Sequence, residues 1–384
     1  MNILDQNVLI EWFRTFYPFF IGLIFMISFA MTWYVIPKVL WVSKEKNLVT
    51  GVNSRSSHAN EIPSFGGVAF YITLILLLTI LQTLRLNFVG NHLIAALTIL
   101  FMVGLKDDLV ISTARAKLIG QISAACFIVF SPEMHLTTLY GFLGIYEIPF
   151  WLGVLLTGLL VVAIINAYNL IDGIDGLAAM VGIVVCSCFA GVFYITKHPY
   201  NVLLSVSMVG ILLAFLRYNF FSRGERKMFM GDSGSLIVGL IISFLTVQFL
   251  VMNPDPELIK DGFATADRPL VILGILFIPI FDTLRVMVIR LRKGTSPFSA
   301  DRNHIHHVLL DLGFTHFQVS GILSVINFLI ILLYYNLAQI LSSFYLILAI
   351  LGVYFIAFIL FYQLKIISRN TRKYSRTTKI YQDE

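Results

Sequence analysis

Residues 166–176 read NAYNLIDGIDG and separate two apolar segments that otherwise look like consecutive membrane-spanning helices. The stretch holds two amides and two carboxylates, and each is costly in or beside hydrocarbon unless it faces protein, water or a ligand. If the preceding helix continues, Asn166, Asn169 and Asp172 share one face, and the two glycines let the chain turn. The alternative is a helix end capped by Asn and Asp, although a cap needs only one such residue. The stretch therefore predicts an oxygen-rich site at a membrane boundary, which suits a hard cation such as Mg²⁺.

The composition is that of a membrane protein. Of 384 residues, 58% are hydrophobic and 12% are charged, which is about half the charged share of a soluble domain. Runs of about twenty apolar residues predict eleven spans, namely 17–37, 66–84, 91–105, 117–131, 150–166, 177–196, 200–217, 235–252, 269–290, 318–338 and 343–364. We therefore expect an all-α polytopic integral membrane protein with one transmembrane domain, 1–364, and a basic cytoplasmic tail, 365–384.

The positions of the basic residues predict the orientation of these spans. With the N-terminus outside, 22 of the 27 lysines and arginines fall on the cytoplasmic side and five fall outside. Because cytoplasmic loops carry the excess of Lys and Arg, the chain should have its N-terminus outside and its C-terminus in the cytoplasm. The basic residues are dispersed over separate loops without a nucleic-acid-reading module, so no nucleic-acid partner is expected.

Two further polar clusters lie on loops that this topology puts in the cytoplasm. Asp107 and Asp108 are adjacent carboxylates, which need a compensating cation from a metal or a lysine. Lys117 follows on the next span and either anchors it at the membrane surface, neutralises the acidic pair or binds a phosphate. Asp232 opens an apolar helix whose first N–H groups bind an anion or are capped by Asp232 itself. The surrounding Gly-Asp-Ser-Gly also occurs in serine proteases, but four residues carry little weight without a triad.

A cytoplasmic loop, 291–316, combines Arg302 with His304, His306 and His307. The three histidines are crowded too closely for the usual spacing of a structural zinc site. Donors to phosphate explain His and Arg together better, and a solvated basic loop is the alternative. The loop shows no apolar periodicity of a core-facing segment, so we expect it to close over a ligand.

Two other positions stay open between structural and functional roles. Arg55 and His58, in the first cytoplasmic loop, either meet a phosphate or face solvent. Asp282 lies near the inner end of an apolar span, and we expect it to pair with Arg285, three residues later on the same helix face.

These residues resemble a known family, the polyprenyl-phosphate N-acetylhexosamine-1-phosphate transferases. The resemblance lies in four motifs in the same order, namely Asp107-Asp108, NAYNLIDGIDG, FMGDSGS at 229–235 and SPFSADRNHIHH at 296–307. It is strongest to the branch that starts O-antigen, enterobacterial common antigen and teichoic-acid linkage units in cell-envelope polysaccharide synthesis. The phospho-MurNAc-pentapeptide transferase of peptidoglycan synthesis is less similar in its histidine loop.

The resemblance implies an enzyme of the bacterial cytoplasmic membrane with an eleven-helix fold. It would transfer a sugar 1-phosphate, GlcNAc-1-phosphate above all, from a UDP-sugar to undecaprenyl phosphate and release UMP. Its cofactor would be Mg²⁺, with Mn²⁺ as a substitute, and its other partners would be membrane lipids. The oligomeric state stays open, a homodimer included, as do the particular UDP-amino sugar and the downstream pathway.

Residue roles carried over from the family cover every motif. The metal would be held by Asp232, Asn169 and Asp172, with Asn166 beside them on the substrate. The uridine would be held by Asp175, Asn219 and Phe229. The lipid phosphate and the pyrophosphate would meet Asp107, Asp108 and Lys117. Donors near the phosphates would be Arg302, His304, His306 and His307. The chain departs from the family where a third acidic residue often follows the Asp pair, because residues 109–111 are apolar here.

Two other classes of protein compete with this one. A transporter of UDP-sugars or lipid phosphates would place its site near the bilayer midplane and often show internal repeats. A membrane scaffold would not need carboxylates and histidines on four cytoplasmic loops.

A phosphate monoester is already anionic near neutral pH, so we expect its direct attack on the UDP-sugar rather than a covalent aspartyl intermediate.

Overall fold

The computed structural model describes residues 12–13, 15–46, 48, 62–83, 90–110, 112–255, 258, 264–296 and 303–380. Three residues of the predicted site, Arg55, His58 and Arg302, lie outside these ranges. The α-helices are α1 (Tyr17–Glu45), α2 (Gly66–Thr83), α3 (Gly90–Leu109), α4 (Ala114–Val129), α5 (Phe150–Ile171), α6 (Leu177–Ile195), α7 (Pro199–Asn219), α8 (Gly231–Val251), α9 (Arg268–Ile275), α10 (Phe277–Arg292), α11 (Ile305–Asp311), α12 (His316–Ile340) and α13 (Ser343–Ile380). An antiparallel hairpin joins β1 (Thr138–Phe142) to β2 (Ile145–Glu147).

The all-α polytopic fold predicted from the sequence is confirmed. Within the described residues, seven helices are long and apolar enough to cross a membrane, and the bent pair α9 and α10 raises this to as many as eight. Helix α2 is apolar but shorter. Each of the eleven predicted spans coincides with a helix or with the bent pair, and the count of eleven stays a prediction. Helix α13 runs without a break through the domain boundary predicted at 364/365.

Helix α8 is the centre of the bundle. In its apolar stretch 89% of the residues are buried inside the protein, against 17% in α13 at the periphery. It packs against α2, α3 and α5, among other helices. Glycines permit the closest approaches, since a Cβ at Gly104 of α3 would lie 2.6 Å from the backbone nitrogen of Ser233. The first turn of α8, which carries Asp232, is therefore held by backbone contact with its neighbours.

The segment predicted as one span over 269–290 is broken into two helices. Helices α9 and α10 meet at an angle of 74°. Such a break frees backbone groups that hydrocarbon cannot satisfy. The buried amide of Asn327 on α12 satisfies them, because it accepts from the nitrogen of Ile278 at 3.0 Å and donates to the carbonyl of Ile275 at 3.1 Å. One polar side chain inside the bundle thus makes the bend compatible with an apolar surrounding.

Candidate active site

The first polar cluster is a carboxylate–lysine–carboxylate bridge between three helices. The Lys117 ammonium, near the start of α4, lies 2.7 Å from Asp107 Oδ2 and 3.0 Å from Asp232 Oδ2. Asp107, in the last turn of α3, also accepts from the nitrogen of Ser112 at 2.6 Å. The exposed fractions of the three side chains are 10%, 24% and 28% for Asp107, Lys117 and Asp232, so the cluster is open to a ligand. The structure thereby joins Asp107 and Lys117, which were predicted at the lipid phosphate, to Asp232, which was predicted as a metal ligand.

Asp108 points away from its neighbour and braces the start of α8. Its carboxylate accepts from the backbone nitrogen of Asp232 at 2.7 Å, the nitrogen of Ser233 at 3.1 Å and the hydroxyl of Ser233 at 2.5 Å. These are N–H groups that the first turn of a helix leaves unpaired, and a carboxylate there also meets the positive end of the helix dipole. The anion expected at this helix start is therefore Asp108 itself, and the side chain is 5% exposed. Its geometry is that of a positioning residue rather than a ligand of substrate.

Asn169 and Asp172 complete the oxygen-rich group around Asp232. The Asn169 amide nitrogen donates to Asp232 Oδ1 at 2.8 Å and to the hydroxyl of Ser235 at 2.7 Å. Asp172 lies at the end of α5, where burial together with the nearby Asp232, Asp108 and Asp175 raises its pKa to about 8. A concentration of carboxylates that opposes ionisation in this way is relieved by a bound cation.

This donor set fits Mg²⁺. Among the described residues, no three His, Cys, Asp or Glu side chains lie close enough together to hold a metal alone. Mg²⁺ does not require that, because it binds through one or two carboxylates and completes its shell with water and substrate phosphates. The oxygens of Asp232, Asn169 and Asp172 are donors of the kind that such a site needs, and a bound cation would favour the ionised form of Asp172.

Asn166 is separate from this group. Its amide is paired with the amide of Gln121 on α4, donating to Gln121 Oε1 at 2.7 Å and accepting from Nε2 at 3.2 Å. It also donates to the carbonyl of Val162 at 2.8 Å. Asn166 thus joins α4 to α5, and the shared helix face expected for Asn166 and Asn169 does not carry both into the site.

A second cluster forms around Asp175. Its Oδ2 lies 2.6 Å from the Lys227 ammonium and 3.0 Å from His316 Nδ1. Burial opposes ionisation of Asp175, but the hydrogen bonds from His316 and Lys227 outweigh it and hold its pKa below the ordinary value. The Lys227 ammonium also lies 5.5 Å from the centre of the Phe229 ring. Asp175 and Phe229, predicted at the uridine, are therefore linked through Lys227.

Asn219 supports this second cluster through hydrogen bonds to two backbone segments. It accepts from the nitrogen of Gly176 at 2.7 Å and donates to the carbonyl of Met228 at 3.0 Å, and it is 5% exposed. The structure thus uses it to fix the 172–176 turn against the segment that carries Lys227. Sequence reasoning missed both Lys227 and His316, because neither lies within a recognised motif. His316 follows Thr315, whose capping box with Gln318 begins α12.

The histidine segment is not the open loop that we expected. Residues 305–311 form helix α11, in which Ile305, Val308 and Leu309 are buried, so the predicted absence of core-facing periodicity was wrong. A seven-residue helix is too short for that periodicity to be recognised. His306 is also buried, and a Cβ at Gly173 would lie 2.7 Å from its ring atom Cε1. Burial lowers the pKa of His306 to about 3, so the ring is neutral.

Asp282 anchors this segment instead of forming the expected pair with Arg285. Its Oδ2 lies 2.9 Å from His304 Nδ1, and its Oδ1 accepts from the nitrogen of Ile305 at 2.9 Å. Arg285 donates to the carbonyls of Asn303 at 2.6 Å and Phe361 at 3.3 Å. Asp282 therefore orients His304. His307 lies about one helical turn after His304 and is half-buried. The structure thus places His306 beside the 166–176 stretch and His304 on Asp282.

Comparisons with known proteins show the family to which the chain belongs. Residues 91–250 match the model of Glycosyl transferase family 4. The chain is 31% identical over 318 residues to a decaprenyl-phosphate N-acetylglucosaminephosphotransferase of Mycobacterium leprae, covering 78% of this chain and 79% of that protein. It is therefore a multi-pass membrane protein that belongs to glycosyl transferase family 4.

Two further relatives extend this similarity. A Mycolicibacterium smegmatis protein of the same name is 34% identical over 281 residues, or 68% of each chain. The undecaprenyl-phosphate alpha-N-acetylglucosaminyl 1-phosphate transferase of Escherichia coli (strain K12) is 30% identical over 284 residues, covering 72% of this chain and 73% of that protein. The resemblance inferred from the four motifs is confirmed at the level of the family.

Proposed function

We propose that the protein transfers a sugar 1-phosphate, GlcNAc-1-phosphate in the first place, from a UDP-sugar to undecaprenyl phosphate and releases UMP. The relatives' names include both the sugar phosphate and a polyprenyl phosphate acceptor. The observation that carries the proposal is the bridge of Asp107, Lys117 and Asp232 at one end of the bundle. We place the reaction on the cytoplasmic face of the bacterial cytoplasmic membrane, where it would start a cell-envelope polysaccharide.

The reaction needs little covalent help from the protein. An oxygen of the lipid phosphate attacks the phosphorus that carries the sugar, and the bond from that phosphorus to the bridging oxygen of UMP breaks. The nucleophile is already an anion, so the main tasks are alignment and neutralisation of charge. Lys117 is the cation within reach of both Asp107 and Asp232, and it can turn one of its three protons to an incoming phosphate oxygen.

The metal would be Mg²⁺, with Mn²⁺ as a substitute, held by Asp232, Asn169 and Asp172. Bound there, it would supply neutralisation of the pyrophosphate charge. The chain's own part is to keep these donors in place. Asp108 holds the first turn of α8, and Ser235 shares the amide of Asn169. Hydrogen bonds of this kind hold the donors in the geometry that the reaction needs.

The second cluster suits the nucleotide. The Phe229 ring offers a face for stacking, and Lys227 and His316 offer donors beside Asp175. The neutral His306 supplies one N–H next to Gly173 and the Asp172 turn. The arrangement favours catalysis over transport, because both clusters lie at helix ends rather than at mid-depth of the bundle.

The test is a transfer assay with the purified full-length protein in detergent. Undecaprenyl phosphate and Mg²⁺ are supplied with labelled UDP-GlcNAc, and in parallel with UDP-GalNAc, UDP-FucNAc and UDP-MurNAc-pentapeptide. We expect equal amounts of UMP and lipid-linked sugar phosphate from UDP-GlcNAc. The proposal fails if every donor is left unchanged, or if UMP forms without a lipid-linked product.

A further inference from the structure

A groove lies between α1 and α7, and the residues that line it are distinct from those of both polar clusters. Its cavity has a volume of about 570 Å³, and its apolar wall includes Trp33, Trp41 and Tyr218. Tyr218 donates to the carbonyl of Trp33 at 3.1 Å, and the two rings meet edge to face at 5.5 Å. The two tryptophans remain 42% and 65% exposed. Tryptophan and tyrosine with this exposure are typical of the level of lipid headgroups.

The charged residues that line the groove are mostly basic. Lys44, Arg217 and Arg226 line it, with Glu225 as the one acidic lining residue. The Lys44 ammonium lies 3.4 Å from Glu225 Oε2, but the side chains are 40% and 94% exposed, so the pair is readily exchanged for another anion. The groove therefore combines a surplus of positive charge with an apolar wall.

We propose that this groove binds an anionic glycerophospholipid of the cytoplasmic leaflet. An acyl chain would lie along the aromatic wall and Pro37, and the headgroup phosphate would meet Lys44 and Arg226. Basic pockets between transmembrane helices on the cytoplasmic side bind anionic headgroups in this way. A soluble phosphate would leave the exposed tryptophans uncovered, and a zwitterionic lipid would leave the cations without a net opposite charge.

The occupant is a bilayer phospholipid rather than the acceptor lipid. The groove shares no lining residue with either polar cluster. Its walls belong to α1, α7 and the segment after α7, whereas the reacting carboxylates are carried by α3, α5 and α8. A phosphate held at Lys44 and Arg226 would thus be a second phosphate site of the protein.

The experiment uses tryptophan fluorescence of the full chain with Phe replacing Trp12 and Trp151, which leaves the two groove tryptophans. Vesicles of phosphatidylcholine contain an increasing share of phosphatidylglycerol brominated on its acyl chains, and the mirror series contains brominated phosphatidylcholine in plain phosphatidylglycerol. We expect stronger quenching by the brominated phosphatidylglycerol at equal mole fraction. In the K44A/R226A variant, the affinity of the groove for phosphatidylglycerol relative to phosphatidylcholine should fall by roughly thirtyfold, which is the contribution of two cations at a membrane surface.

Two further variants separate charge recognition from damage to the fold. Glu225→Gln should strengthen the preference several-fold, since it removes a repelling carboxylate and releases Lys44. Arg223→Ala removes a cation from the same segment outside the groove and should leave the preference unchanged. Equal quenching by the two brominated lipids, or a loss in Arg223→Ala equal to that in K44A/R226A, overturns the proposal. Displacement of brominated phosphatidylglycerol by undecaprenyl phosphate beyond its mole fraction overturns it too, because the groove would then be the acceptor site.

Discussion

Replacing Gly104 by Ala tests whether backbone contact between α3 and α8 positions the candidate metal ligand. An added Cβ at this position would lie 2.6 Å from the nitrogen of Ser233 and 3.0 Å from the carbonyl carbon of Asp232. Ordinary van der Waals contact begins at about 3.4 Å. Because both opposing atoms belong to the backbone, the two helices must separate by about 1 Å, and the first turn of α8 moves with Asp232.

The expected cost is much larger for turnover than for stability. Overpacking of this kind destabilises a protein by about 1–3 kcal/mol. The higher helix propensity of Ala over Gly stabilises the helix by about 1 kcal/mol. The net loss of stability should therefore be about 0–2 kcal/mol. A displacement of about 1 Å at a site that works by alignment costs roughly a hundredfold in rate. We therefore expect a folded protein with about 1% of the normal turnover.

The assay measures lipid-linked sugar at saturating UDP-GlcNAc, with thermal unfolding in detergent on the same samples. Gly191→Ala in α6 is the matched control, because its added Cβ meets no atom within 4 Å. That variant should keep full turnover and the same or a slightly higher Tm. Wild-type turnover in Gly104→Ala would refute the idea that the α3–α8 contact sets the position of Asp232.

Other variants test the remaining assignments. Asp232→Asn, or excess chelator on the unchanged protein, should abolish transfer without reducing the yield of folded protein, and near-normal transfer in either case would contradict the metal assignment. Lys117→Gln should lower turnover by roughly 10²–10³-fold, measured in the same assay, since the two carboxylates that it joins then repel each other. His306→Ala should lower the Tm because the ring is buried, and it should lower turnover because the N–H beside Gly173 is lost. A change in Tm alone would make the histidine purely structural. In a background without native cysteines, a cysteine at Gly144 should be labelled from outside the cell and one at Glu225 should not, and the reverse pattern would invert the topology.

Much of the fold could be predicted from the sequence because helices in hydrocarbon satisfy their own backbone groups. Each apolar run therefore had to become a helix, whatever its neighbours. The same reasoning located the polar stretches at helix ends, and 166–176 indeed forms the end of α5 and a turn. It did not predict the break between α9 and α10, because the bend depends on Asn327, which is distant in sequence.

The sequence alone determined the class of the protein, its helical membrane fold and the motifs from which its family was recognised. Only the tertiary structure decided what each polar side chain does. Asp107 and Asp108 are adjacent and chemically identical, yet one reaches Lys117 and the other braces α8. Successive residues of a helix point about 100° apart, so adjacent residues meet different neighbours. Which neighbour lies in each direction depends on how the helices pack, and for the same reason His316 enters the site from a helix that carries none of the motifs.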